Sequence, residues 1–213
     1  MINILVIAGE YPPLKTIGRI RSAKLVQHWH EAGLKPVVLT IKYDMNNPSY
    51  EESLESEIPT GVDIYRVANP KREDILIDFA KRILFRNTKF TTSINSAHKK
   101  TLQPTNTQKT HIEKNTSFTG KALNLYKHLF RHWIDIPDDY NSWANNSFSI
   151  ALDIIEKHNI DVIYVSLPPF SAFKLGYRLK KKTGLPWVVD YRDLWSGDVL
   201  REWIHPLRAK YEL

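Results

Sequence analysis

The 213-residue sequence contains no cysteine. That excludes a disulfide framework, cysteine-based zinc sites and thiol nucleophiles, and it fits a reducing cytoplasm. No uninterrupted apolar run approaches the ~18–20 residues that a bilayer-crossing helix needs. The first residues, Met1 to Ala8, have no basic leader and run straight into a strand pattern, so they do not read as a secretory signal. There is no internal repeat, no G-x-G-x-x-G and no G-x-x-x-x-G-K-[ST], so neither a dinucleotide site nor a Walker phosphate site is expected. A nucleophile elbow, an H-E-x-x-H pair and an EF-hand loop are also missing. His28 and His30 stand two apart on an expected helix and cannot chelate one ion from one face. They read as surface residues, and no metal site is expected.

What is present is ordinary globular composition, with 42% hydrophobic and 25% charged residues. Collagen, coiled coil and wholesale disorder are excluded, and the length is enough to bury a real core. The charge is uneven. Residues 71–134 hold 13 basic and 4 acidic side chains, whereas the rest of the chain holds 17 and 19. The whole net charge of +7 therefore comes from one middle segment, which also carries His98, His111, His128 and His132. A basic block of this kind suits an anionic surface: membrane lipid, nucleic acid or phosphorylated ligand. It equally suits a solvated insertion. No recognised nucleic-acid module is visible, so nucleic acid is not expected as a partner.

Along the chain, residues 3–8 form a continuous apolar run, as in a strand buried on both faces. A loop with two prolines and two glycines follows, Gly9 to Gly18. A helix is expected over 19–32, with Ala23, Val26 and Trp29 at helical spacing, Leu25 and Ala32 beside them, and Gly33 as its stop. Residues 37–41 read as the second strand. This βαβ start predicts a doubly wound, Rossmann-like parallel sheet, an α/β fold. Residues 44–60 read as a loop with one turn of helix, and 62–67 as a strand.

Amphipathic helices are expected over 73–86 and 120–134, with a mobile polar stretch at about 87–119 between them. Their apolar faces suit either an anionic bilayer or packing on the domain. A helix over 142–158, a strand over 160–166, a helix over 171–182 closed by Gly184 and Pro186, and a strand over 187–191 follow. An unfinished helix is expected from about Pro206 to Leu213.

Ligands of such sheets bind beyond the carboxyl ends of the strands. Three stretches lie there. In the first, Gly18 would let a phosphate or sugar approach the backbone at a helix N-terminus, with Arg19 and Arg21 adding charge; a rigid connection explains the same residues. In the second, Asp190, Arg192, Asp193 and Asp198 could bind sugar hydroxyls, orient a base, or pair with one another, and Trp195 could stack on a sugar or cover the core. The third, Ser166 to Pro169, reads as a turn that starts a helix.

Taken together, these pieces resemble the N-terminal domain of family 4 (GT-B type) glycosyltransferases. The resemblance rests on Gly9-Glu10-Tyr11-Pro12-Pro13 with Gly18-Arg19, on Leu25…Ala32-Gly33…Val37-Val38-Leu39-Thr40, on Asp161 to Pro169, and on Gly184 to Trp195. It covers about residues 1–70 and 140–205. It implies a Rossmann-like acceptor-side domain over 1–205, with the basic segment as an insertion. It also implies a nucleotide-sugar domain beyond it, and sugar transfer with retention of configuration to a glycan or lipid-linked acceptor.

On this resemblance Gly18, Arg19, Asp190, Arg192 and Asp193 are expected at the substrate. No cofactor is expected, since the nucleotide sugar is a substrate. No protein base is assigned, because in that mechanism the donor's own phosphate can take the acceptor proton. Relatives carry an E-x7-E motif in the second domain. No two glutamates here stand eight positions apart, so the second domain is expected to lie elsewhere and the chain alone to be inactive. The implied setting is the cytoplasm, at the inner face of the plasma membrane. The alternatives are a non-catalytic α/β module that binds an anion, or a peripheral membrane interaction protein.

Overall fold

The computed structural model describes residues 2–70 and 137–193. The expectations for 73–86, 87–119, 120–134, Trp195, Asp198 and the helix from Pro206 lie outside the described residues. The elements run β1 (Asn3–Ala8), α1 (Ile17–Glu31), β2 (Lys35–Lys42), a short 3-10 helix (Glu52–Glu57), β3 (Asp63–Ala68), α2 (Asn141–Lys157), β4 (Val162–Leu167), α3 (Ser171–Thr183) and β5 (Trp187–Tyr191). The five strands form one sheet in the order β3-β2-β1-β4-β5, and every pairing is parallel. The direction of winding reverses between β1 and β4. This is the Rossmann-like α/β architecture expected from the sequence.

The strand alternation sorts the core into two layers. Leu5, Ile7, Leu39, Ile41, Ile163, Val165 and Leu167 pack under α2 and α3 with Trp143, Ala151, Ile154, Leu175 and Leu179. Ile4, Val6, Ala8, Val38 and Tyr164 point the other way and meet Ala23 and Val26 of α1.

Helix α1 begins at Ile17, two residues before the expected start, because Thr16 caps it: its Oγ1 accepts the Arg19 N–H at 3.4 Å. It ends one residue early, so Ala32 is an exposed cap and not part of the core. Gly33 follows at φ +81°, and Gly184 closes α3 at φ +76°, backbone that L side chains seldom adopt. Helix α3 has no capping side chain of its own at its start; Asp138 supplies it from outside. The Asp138 carboxylate accepts the Ser171 backbone N–H at 3.0 Å and the Ser171 hydroxyl.

The two ends of the 71–136 interval are held together. The Asn69 side chain donates to the Asp139 carbonyl at 3.1 Å and accepts the Trp143 N–H at 3.0 Å. Asn69 and Asp139, described residues on either side of that interval, thus meet at one place.

Candidate functional site

The carboxyl edge on the α1 side ends in a polar row. Arg66 is beside Thr40 on one flank, and Ala8, Ser166 and Asp190 are in register on the other. The N-terminal half of α1 lies over this row with its buried Ser22. The same edge gathers the loops after β1, β4 and β5.

The loops after β1 and β4 touch. A Cβ added to Gly9 would stand 2.2 Å from Pro169 Cδ, so a glycine is required there for the close approach. Tyr43 fixes the same residue by donating its hydroxyl to the Gly9 carbonyl at 3.3 Å.

Gly18 sits in the first turn of α1, and its neighbours are protein side chains. A Cβ on it would fall 1.6 Å from Glu10 Oε2 and 2.3 Å from Arg192 Nη1. The Glu10 carboxylate also accepts the Thr16 hydroxyl at 3.2 Å, and Arg192 Nη2 lies 3.7 Å from it. A carboxylate at the positive end of a helix is electrostatically favoured. The seat that the sequence offers to a phosphate is held in this structure by Glu10, whose side chain remains 29% exposed.

Arg192 joins two strands. Its Nε donates to the Leu167 carbonyl at 2.7 Å and its Nη2 to the Pro168 carbonyl at 2.9 Å. Asp190 does not pair with Arg192. It takes a bidentate pair from Arg21, Nε to Oδ2 at 2.7 Å and Nη2 to Oδ1 at 2.8 Å, and it accepts the Tyr164 hydroxyl at 2.7 Å. Burial, then the hydrogen bond to the Asp190 carboxylate, hold the Tyr164 hydroxyl above the ordinary tyrosine range.

Arg19 is drawn to the 3-10 helix by an ion pair with Glu57. Asp193 is exposed at the rim. The structure therefore brings Gly18 and Arg192 together around Glu10, puts Asp190 on Arg21, and sends Arg19 elsewhere.

Three buried polar atoms at or near this edge have no hydrogen-bond partner: Tyr11 Oη, Ser166 Oγ and Arg19 Nε. Burial pushes the Tyr11 hydroxyl up, with the Arg66 guanidinium opposing. Sequence reasoning missed Glu10 and Tyr164 as members of the network, and it expected Arg21 beside a phosphate where the structure puts it on Asp190. Glu10 stood inside a stretch already singled out, but nothing local says that it folds back onto Gly18. Among the described residues, no group of three His, Cys, Asp or Glu is placed to hold a metal ion. A groove of about 430 Å³ runs between α1 and the 3-10 helix, lined by Ala23, Gln27, His30, Glu57 and Pro59 among others. It shares no residue with the Gly9–Arg19, Ser166–Pro169 or Asp190–Asp193 stretches. No described helix is long and apolar enough to cross a membrane.

No protein-family model and no curated protein matches this sequence. Solved structures do match in shape. A glycosyltransferase from Streptomyces sp. SF2575 is 15% identical with a TM-score of 0.41; the match covers 89% of this chain and 39% of that one. A sucrose-phosphate synthase from Thermosynechococcus elongatus is 13% identical with a TM-score of 0.47, covering 98% of this chain and 38% of that one. The C-terminal domain of a Pyrococcus furiosus hydrogenase is 14% identical with a TM-score of 0.42, covering 89% and 91%. The chain spans about two fifths of the glycosyltransferase and of the synthase.

Proposed function

We propose that this chain is the acceptor-side half of a retaining glycosyltransferase of family 4 (GT-B type). In this reading it works on a nucleotide-sugar donor and a glycan or lipid-linked acceptor. One observation carries it. The stretches that resemble that family are far apart in the sequence, yet their polar ends, Gly9–Arg19, Thr40, Ser166–Pro169 and Asp190–Asp193, converge at the carboxyl edge around one reversal of winding. That crevice is where open α/β sheets bind ligands.

Each residue then has a chemical task. Glu10 and Asp193 offer carboxylate oxygens to sugar hydroxyls, and Gly18 leaves room at the first turn of α1 for the Glu10 carboxylate, which a ligand anion would have to displace. Arg192 fixes the β4 and β5 loops as one wall. Asp190 and Arg21 hold α1 at the height that wall requires. Arg19 reaches substrate only by leaving Glu57. The opposite wall, with most of the donor site, belongs to a second domain, so these residues alone bind without turning over. That chemistry belongs in the cytoplasm, at the inner face of the plasma membrane.

The test is NMR shift mapping on the full chain with free oligosaccharides, short-chain polyprenyl-diphosphate sugars and nucleoside diphosphates in turn. The expected result is perturbation of the amides of residues 9–19, 166–169 and 190–193 by an acceptor, and a weaker response to nucleoside diphosphate. Silence at those amides with every ligand, or shifts confined to the groove beside the 3-10 helix, would reject the reading.

A further inference from the structure

We propose that the outward face of α3 docks onto an anionic lipid bilayer. Helix α3 buries Ala172, Leu175, Gly176 and Leu179 against the sheet and α2. Its remaining arc carries Lys174, Arg178, Lys180, Lys181 and Lys182, and the helix has no acidic residue.

What sets these cations apart is their number on one helix face with no acid among them. Elsewhere Arg19 and Arg21 of α1, with Lys15, Arg66 and Arg192, are each matched to a carboxylate, whereas Lys24 of α1 rests on Gln27 Oε1 at 3.0 Å. None of the five on α3 meets a carboxylate among the described residues. Three of them rest on neutral acceptors instead. Lys174 Nζ bonds Asn141 Oδ1 at 3.4 Å, Arg178 Nη1 bonds Asn145 Oδ1 at 3.0 Å and stacks over the Phe148 ring, and Lys180 Nζ bonds the Gly184 carbonyl at 3.1 Å. Amide and carbonyl oxygens fix these side chains without neutralising them, so the face keeps its full charge.

The occupant follows from what lies among the charges. Tyr177 is 46% exposed in the middle of the stripe, with Lys181 over its ring and Trp187 at 6.3 Å. Tyr191 of β5, on the same side of the sheet and beside Phe173 of α3, is also more than half exposed. Long basic side chains around an amphipathic ring on a convex helix face match the headgroup layer of a bilayer, where the cations meet lipid phosphates and the ring sits at the interface. A nucleic acid would want a groove or a stacking cleft, and this face has neither. The inference deepens the lipid-linked part of the proposed function, and it is tested without any turnover, so either can fail alone.

The experiment is co-sedimentation of the full chain with phosphatidylcholine vesicles, with and without phosphatidylglycerol. Binding is expected only with the anionic lipid and is released as salt rises. The variant Lys174→Gln/Lys181→Gln/Lys182→Gln changes only exposed positions. At about five-fold per cation it should lower partition roughly 100-fold. Tyr177→Ala should weaken binding several-fold and leave the salt dependence unchanged. Equal sedimentation with neutral vesicles, a triple variant that binds like the parent, or binding of a DNA or RNA oligomer in place of vesicles would overturn the proposal. If the triple variant does not fold, Lys181→Gln/Lys182→Gln alone gives the same reading, with an expected loss of roughly 25-fold.

Discussion

The two sides of this sheet are built for different things. The α2/α3 side is a dry, interlocked layer: Trp143, Leu167, Leu175 and Leu179 are fully buried, and Trp143 adds one hydrogen bond, from Nε1 to the Thr40 carbonyl at 3.3 Å. The α1 side has a thinner apolar layer and ends at the carboxyl edge in charges that hold one another: Glu10 with Arg192, Asp190 with Arg21, Arg19 with Glu57. Stability resides mostly in the first layer, which leaves the second free to carry charge that packing alone would not favour. The helices repeat the contrast at their surfaces. Both arginines of α1 meet carboxylates within the protein, whereas the five cations of α3 meet none among the described residues.

The sharpest way to break this comparison is to remove the largest fully buried side chain of the dry side. Trp143→Ala should cost about 3–5 kcal/mol in urea unfolding, from lost transfer energy and the cavity it leaves. A loss no larger than that of a charge variant on the α1 side would contradict the division of labour.

Next is the crowding at Gly18. Gly18→Ala pushes a Cβ against the far ends of the Glu10 and Arg192 side chains, which can swing aside, so the cost should be only about 1 kcal/mol, from the contacts Glu10 gives up. In a Glu10→Ala background the same change should be nearly neutral or favourable, since alanine is the better helix former by up to about 1 kcal/mol. A double-mutant cycle with no coupling between the two positions would show that Glu10 does not set the need for glycine.

Asp190→Ala removes the bidentate pair and the acceptor of the Tyr164 hydroxyl. A loss of about 1.5 kcal/mol is expected, toward the lower end for charged hydrogen bonds because the Arg21 side chain is 56% exposed. The loss should shrink in high salt, unlike that of Trp143→Ala.

The smallest effect concerns pH. The Lys15 ammonium and the Ser53 hydroxyl hold the Glu51 carboxyl below its ordinary 4.5. A depressed folded-state value means that the stabilisation is complete above 4.5 and fades as pH falls through the folded value. Glu51→Gln should therefore flatten the acid limb by slightly lowering the neutral-pH plateau, and the two stability curves should converge at low pH. A steeper limb would reverse the sign of that argument.

Much of the architecture was readable beforehand for a simple reason. A strand such as Ile4 to Ala8, covered on both faces, must be apolar throughout, and a helix such as α3 must show its buried arc at helical spacing. Gly33 and Gly184 marked helix ends because a left-handed turn excludes most other residues. The edges were harder. Thr16 moved the start of α1 by two residues through one side-chain bond, and Trp143, at the core's centre, gave no local sign of its burial.

The candidate site divides the same way. The location at the carboxyl edge was legible, because it follows from the order of strands and helices. The pairings were not. Asp190 and Arg192 are two positions apart and looked like partners, yet β5 ends at Tyr191 and the chain bends there, so Arg192 leaves the strand and turns to the Leu167 and Pro168 carbonyls. Each found its counter-charge in a distant loop or helix.

From the order of residues alone came the periodicities, the turns, the parallel sheet and the uneven charge, because these depend on local sterics and on counting. The tertiary structure decided which carboxylate met which guanidinium, which side chains crowd Gly18, and which cations met no carboxylate among the described residues. Those outcomes depend on distances between segments remote in the chain, and only the closed sheet sets them.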